Sequence, residues 1–182
     1  NYATSNGTAM AGSDYTAVSD MLNWADGDAA DKFFDVPITD DNAAENAENF
    51  TVTLSGANGV SSGSPCNATI TIADDDPPPT VVLSLLNSPM KEAGGVATVK
   101  ATLSAVSGLP VTVTLAFSGT ATLTSDYTRS ATSITIPAGS TNGVVTLTAV
   151  HDTRDESDET IVVTLSGVTN ASAGAVQQVI AT

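Results

Sequence analysis

Apolar and polar residues alternate with a period of two through most of this chain, in short runs closed by Gly, Asn, Asp or Ser. That period sends successive side chains to opposite faces of a strand, so each run predicts a half-buried β-strand. In the second half the runs are 80–86, 95–104, 110–119, 132–139, 142–150, 160–168 and 175–182. Short strands separated by turns predict an all-β fold, in which two antiparallel sheets pack face to face over alternate Val, Ile and Leu. Helix signals are nearly absent. The regular alternation argues against disorder even though aromatic residues make up only 4% of the chain.

The first half repeats part of the second. "GTAMAGSDYT" at 7–16 answers "GTATLTSDYT" at 119–128 with an offset of 112, and "ENAENFTVTLSGA" at 45–57 answers "ESDETIVVTLSGV" at 156–168 with an offset of 111. A repeat of that length is a domain, not a solenoid turn. Projected backwards, Asn1 falls opposite Val113, inside the third strand of the later copy. The expected organisation is a partial domain over 1–76 lacking its first two strands, a proline linker at 77–79, and a near-complete domain over 80–182. Pro77, Pro78 and Pro79 restrict φ and favour extended backbone. A domain short of two strands exposes inner-face residues and an edge. It either stays folded with a frayed side, takes strands from a neighbouring chain, or persists as a fragment stabilised by metal. The opening "NYATSNGTAMAG", without Met, suggests a piece of a longer chain.

The formal charge is −15, with −12 of it in residues 1–76, where Lys32 is the single base. Such a surface disfavours nucleic acid and anionic membranes as partners. No apolar run reaches the roughly 20 residues of a membrane span, so direct membrane insertion is not expected. Cys66 stands alone, which removes a disulfide framework and a thiolate zinc site. Asn6, Asn49, Asn67 and Asn170 lie in N-x-S/T sequons, which matter only where the source glycosylates. No nucleophile elbow, zinc-protease helix motif or glycine-rich phosphate loop is present, and the chain does not read as an enzyme.

The carboxylates gather at strand ends. Asp14 follows a Gly-Ser turn, Asp40 and Asp41 close the run "FFDVPIT", Glu45 and Glu48 precede "FTVTL", and Asp74, Asp75 and Asp76 close "ATITI". Grouped at one pole of a sandwich they repel one another unless a cation intervenes, and hard oxygen donors are what Ca²⁺ takes. A solvated acidic rim is the alternative on spacing alone. No EF-hand loop is present.

Taken together, "GTAMAGSDYT", "ITDDNAAENAENFTVTLSGA" and "ATITIADDD", in that order and partly repeated, resemble the Calx-beta domain. That family is known from the regulatory region of sodium–calcium exchangers, an integrin β cytoplasmic segment and many large surface proteins. The resemblance implies tandem immunoglobulin-like antiparallel sandwiches with calcium bound among loops at one end. It places the ligands of the first copy on Asp14, Asp40, Asp41, Glu45, Glu48, Asp74, Asp75 and Asp76. In the second copy they fall on Glu92, Asp126, Asp152, Glu156 and Glu159, with His151 where the first copy has Asp40. The implied role is a calcium-stiffened repeat of a large secreted or surface protein, adhesive in kind and extracellular. Its partners would be calcium, neighbouring repeats of the same chain and a protein or glycan ligand. The other implied role is a calcium-sensing regulatory pair of a membrane transporter.

Overall fold

The computed structural model describes residues 1–61, 63–153 and 156–182. The chain divides into two units, Asn1–Asp41 with Asn46–Asp75, and Asn42–Glu45 with Asp76–Thr182.

The first unit holds β1 (Tyr2–Asn6), β2 (Ser19–Asp20), β3 (Glu48–Leu54) and β4 (Asn67–Ile72), paired antiparallel in the order β2-β1-β3-β4. Alternation on β3 turns Phe50 and Val52 inward, where they are buried with Ala9 and Tyr15. Phe34, Val36 and Ile72 pack against this small core. Tyr15 stacks on Phe50 with ring centroids 4.2 Å apart, and Tyr2 stacks on Phe34 at 3.9 Å.

The segment 33–39 was expected to be a strand, and it is not one. Ile38 makes an isolated antiparallel bridge to Tyr15, supported by Thr16 N–H donating to Pro37 O and Thr39 N–H donating to Asp14 O. Pro37 has no N–H to give a ladder, and among the described residues no strand pairs the far side of this segment. Phe34 joins the core whereas Phe33 points outward, 86% exposed.

The second unit carries β5 (Thr80–Leu86), β6 (Val96–Leu103), β7 (Val111–Gly119), β8 (Tyr127–Arg129), β9 (Ser133–Ile136), β10 (Asn142–Ala149), β11 (Ile161–Thr169), β12 (Ser172–Ala173) and β13 (Gln178–Ala181). They form two sheets, β12-β5-β6-β10-β8 and β13-β11-β7-β9, antiparallel except for the β12–β5 pair. Leu83, Val99 and Leu147 from one sheet meet Val113, Ile136 and Val163 from the other, all fully or almost fully buried. Each such side chain contributes about 1.5–3 kcal/mol of hydrophobic stabilisation. This is an all-β antiparallel sandwich of the immunoglobulin-like kind.

The repeat offset maps β1, β3 and β4 onto β7, β11 and β13, and the sheet orders agree. The Tyr15–Ile38 bridge likewise reproduces the pairing of Tyr127 with Ala149. Among the described residues no strand of the first unit answers β5, β6 or β10. No helix of the described chain is long and apolar enough to cross a membrane.

Candidate calcium site

Asp14 and Asp126 sit in the loops that leave β1 and β7, and the two loops are built alike. Each opens on a glycine that lies against the neighbouring strand. A Cβ on Gly7 would collide with Asn49, and one on Gly119 would collide with the Thr160 carbonyl. The next residue, Thr8 or Thr120, accepts a hydrogen bond at its hydroxyl from Asn49 N–H (2.8 Å) or Thr160 N–H (2.9 Å). The residue after that, Ala9 or Ala121, donates its N–H to the carbonyl of Asn49 (2.8 Å) or Thr160 (3.1 Å). Asn49 and Thr160 directly follow Glu48 and Glu159, so these bonds fix where the two glutamates leave the backbone.

The loops then turn in the same way. Met10 N–H donates to Asp14 Oδ2 at 2.6 Å, and Thr122 N–H donates to Asp126 Oδ2 at 2.5 Å. Gly12 N–H donates to Tyr15 O at 2.8 Å, and Thr124 N–H donates to Tyr127 O at 2.7 Å. Tyr15 and Tyr127 anchor each turn through rings buried in the cores. Asn6 adds a further tie in the first loop, its Oδ1 accepting from Ala11 N–H (3.0 Å) and from the Tyr15 hydroxyl (2.7 Å).

These constraints bring carboxylates together twice. One oxygen each of Asp14, Glu45 and Glu48 lies within 4.8 Å of the others, and the same holds for Asp126, Glu156 and Glu159. Loss of solvent around Glu159 raises its pKa above the usual value, as do its hydrogen bond with Asp126 and the charges of Asp126 and Glu156. A pocket of about 350 Å³ in the second unit is lined by Glu92, Asp126, Asp152, Glu156, Asp158 and Glu159. It gathers all five residues that the sequence assigns to the second copy and adds Asp158. Glu92 Oε1 accepts a hydrogen bond from Asp152 N–H at 3.0 Å and lies 3.7 Å from His151 Nδ1.

Other first-copy candidates stand outside the close group. Asp40 and Asp41 are exposed beyond the Ile38 bridge, and Asp74 and Asp75 are exposed beyond β4, followed by the half-buried Asp76. Asp158 has no acidic counterpart in the first copy, where Ala47 holds its position, so the repeat gives no sign of it. Asn6 was visible only as a sequon.

Both close groups consist of carboxylate oxygens without nitrogen or sulfur donors. Calcium takes six to eight oxygens at about 2.3–2.6 Å, commonly including water and backbone carbonyls, so three clustered carboxylates fit a calcium ion. Asp14, Glu45 and Glu48 would hold one ion, and Asp126, Glu156 and Glu159 another. A bound ion supplies positive charge that cancels the repulsion within each trio.

The Calx-beta domain family model matches residues 1–76 and again 78–182. No curated protein matches the chain. Among solved structures the chain is similar to the calcium binding domain CBD12 of CALX1.1, at 19% identity and a TM-score of 0.47. It is also similar to CBD12 from CALX1.2, at 20% identity and the same TM-score. Each alignment covers 98% of this chain and 84% of the other. These matches correct one expectation. The structures found are domains of CALX proteins, one described as calcium-binding. The extracellular, secreted, cell-adhesion placement therefore does not stand. The family match, covering nearly every residue in two successive copies, decides the identity: the chain belongs to the Calx-beta domain family, as a tandem, non-catalytic calcium-binding module.

Proposed function

We propose that this chain is a calcium-sensing pair of domains that regulates a membrane transporter. The observation that carries the reading is the twofold occurrence of one carboxylate trio, Asp14/Glu45/Glu48 and Asp126/Glu156/Glu159, at repeat-related positions. Two sites on one short chain allow a graded response to calcium. Resemblance to the regulatory regions of sodium–calcium exchangers supplies the class of protein regulated. Within this reading the first domain spans 1–76 and lacks its first two strands, 77–79 is the linker, and the second domain spans 80–182. Asp40, Asp41, Asp74, Asp75 and Asp76 complete the first ligand set, and Glu92 and Asp152 the second.

The test is a calcium titration of the whole chain in chelator-buffered solutions. Sensors respond at about 10⁻⁷–10⁻⁵ M, whereas extracellular modules respond at about 10⁻⁴–10⁻³ M. Saturation in the lower range supports regulation. Binding only near millimolar calcium overturns the sensing role while leaving calcium binding intact.

A further inference from the structure

Thr124 holds a backbone conformation that suits its counterpart and not itself. The equivalent residue in the first loop is Gly12, with φ +93°, whereas Thr124 has φ +76°. Glycine enters this region freely, and a β-branched residue there is a steric outlier. The loop imposes the conformation, since the Thr124 N–H bond to Tyr127 O and the Thr122 N–H bond to Asp126 Oδ2 both require the turn.

Within the turn itself the second loop also lacks one tie that the first has. Asn6 ties the first loop through its amide oxygen, and the residue at its repeat position is Ser118, which has no amide. Thr122, Leu123, Thr124 and Ser125 are all exposed, so opening this turn uncovers little apolar surface. Repulsion within Asp126, Glu156 and Glu159 acts in the same direction as the strain.

Resting on the calcium reading above, we propose that Thr124 is a positioning residue that keeps the second calcium loop partly relaxed, so that ion binding there must close it. Only the closed fraction presents Asp126 beside Glu156 and Glu159, and apparent affinity falls by that fraction. The first loop, with Gly12 and Asn6, stands ready before calcium arrives. One template thus yields a preorganised site and a site whose occupation is coupled to a backbone change.

The experiment uses the whole chain with the first trio disabled by Asp14→Asn and Glu48→Gln. Calcium binding is read by calorimetry, loop closure by the amide resonances of residues 122–127, and metal-free stability by melting in chelator. Thr124→Gly is expected to tighten calcium binding by about tenfold, equivalent to about 1.4 kcal/mol, and to bring the metal-free resonances close to the bound ones. Thr124→Asn, which tolerates positive φ, recovers most of that gain. Thr124→Val keeps the branch without the hydroxyl and stays near the parent. Equal calcium affinity in the Gly variant, with a raised melting temperature, means the strain is present in both states and overturns the proposal. A Val variant that behaves like Gly assigns the effect to the hydroxyl and also overturns it. A parent chain with Thr124 intact that binds no calcium at the second trio refutes the calcium reading itself.

Discussion

Glu159 and Asp126 come from different loops, yet they place carboxylate oxygens within 4.8 Å of each other and of Glu156, where a proton on one carboxyl can make a hydrogen bond to the other. Desolvation, that hydrogen bond and the neighbouring charges all raise the Glu159 pKa above the usual 4.5. A raised folded-state pKa contributes stability that is fully present below the unfolded pKa and is lost as pH rises through the folded one. In chelator, the second unit should therefore lose stability as pH climbs from 4.5 through the raised folded-state pKa. Glu159→Gln should remove that part of the profile. Calcium competes with the same proton, so binding at the second trio should weaken on acidification at a higher pH than an ordinary glutamate would require. Melting curves and calcium titrations across pH, wild type against Glu159→Gln, check both statements. Superimposable profiles would contradict them.

Calcium should raise the melting temperature, because a ligand bound only by the folded state stabilises it by mass action. At a hundredfold excess over Kd the gain is about 2.7 kcal/mol per site, and each kcal/mol moves a domain of this size by roughly 4–8 °C. Asp14→Asn with Glu48→Gln should abolish the response of the first unit, and Asp126→Asn that of the second. Asp28→Ala is the control. It breaks the 2.6 Å contact with Lys32 and the hydrogen bond from Ala30 N–H, both of which lower the Asp28 pKa, but it lies outside both trios. It should leave the calcium-dependent shift unchanged. An equal loss in every variant would indicate general charge relief.

Strand β10 offers a direct test of the alternation. Leu147 is fully buried between the sheets, whereas Val144 on the same strand is 54% exposed. Leu147→Ala should cost about 2–5 kcal/mol through lost transfer energy and the cavity it leaves. Val144→Ala should change stability by no more than about 0.5 kcal/mol. Denaturant midpoints of the second unit decide it, and comparable losses would place Val144 in the core.

Residue patterns carried the strands because alternation is a local property of each segment. Phe50 and Val52 on β3, or Val145 and Leu147 on β10, reveal their inward face without knowledge of what they meet. Asp14 with Asp126, and Glu48 with Glu159, were legible because the repeat shows the same residue twice at one position. What depends on a missing or changed neighbour was not legible. Residues 33–39 alternate like a strand, yet Pro37 has no N–H to give, and among the described residues no second strand pairs this segment beyond the Ile38 bridge. Trp24 is large and apolar, yet it is half-exposed and closes its own loop by donating from Nε1 to Ala30 O at 2.7 Å. The positive φ of Thr124 had no signal at all, since nothing in a threonine announces it.

Asn6 joins the two parts of the first loop, and its removal should be felt at the calcium site that it does not touch. Its Oδ1 accepts from Ala11 N–H within the turn and from the hydroxyl of Tyr15, whose ring stacks on Phe50 in the core. Asn6→Ala leaves both donors without this acceptor, a change of about 1–3 kcal/mol where the donor cannot reach water. Tyr15→Phe keeps the stacking and removes one hydrogen bond, about 0.5–1.5 kcal/mol. Because both substitutions delete the same contact, the double variant should be less destabilised than the sum of the singles, and the shortfall measures the coupling. Calcium affinity at Asp14, Glu45 and Glu48 should fall more in Asn6→Ala than in Tyr15→Phe, since only the former also releases Ala11. The measurement is a double-mutant cycle by denaturant unfolding, with calcium titrations of each variant in a chain carrying Asp126→Asn. Strict additivity, or unchanged affinity in Asn6→Ala, would show that the amide only fills space beside the turn.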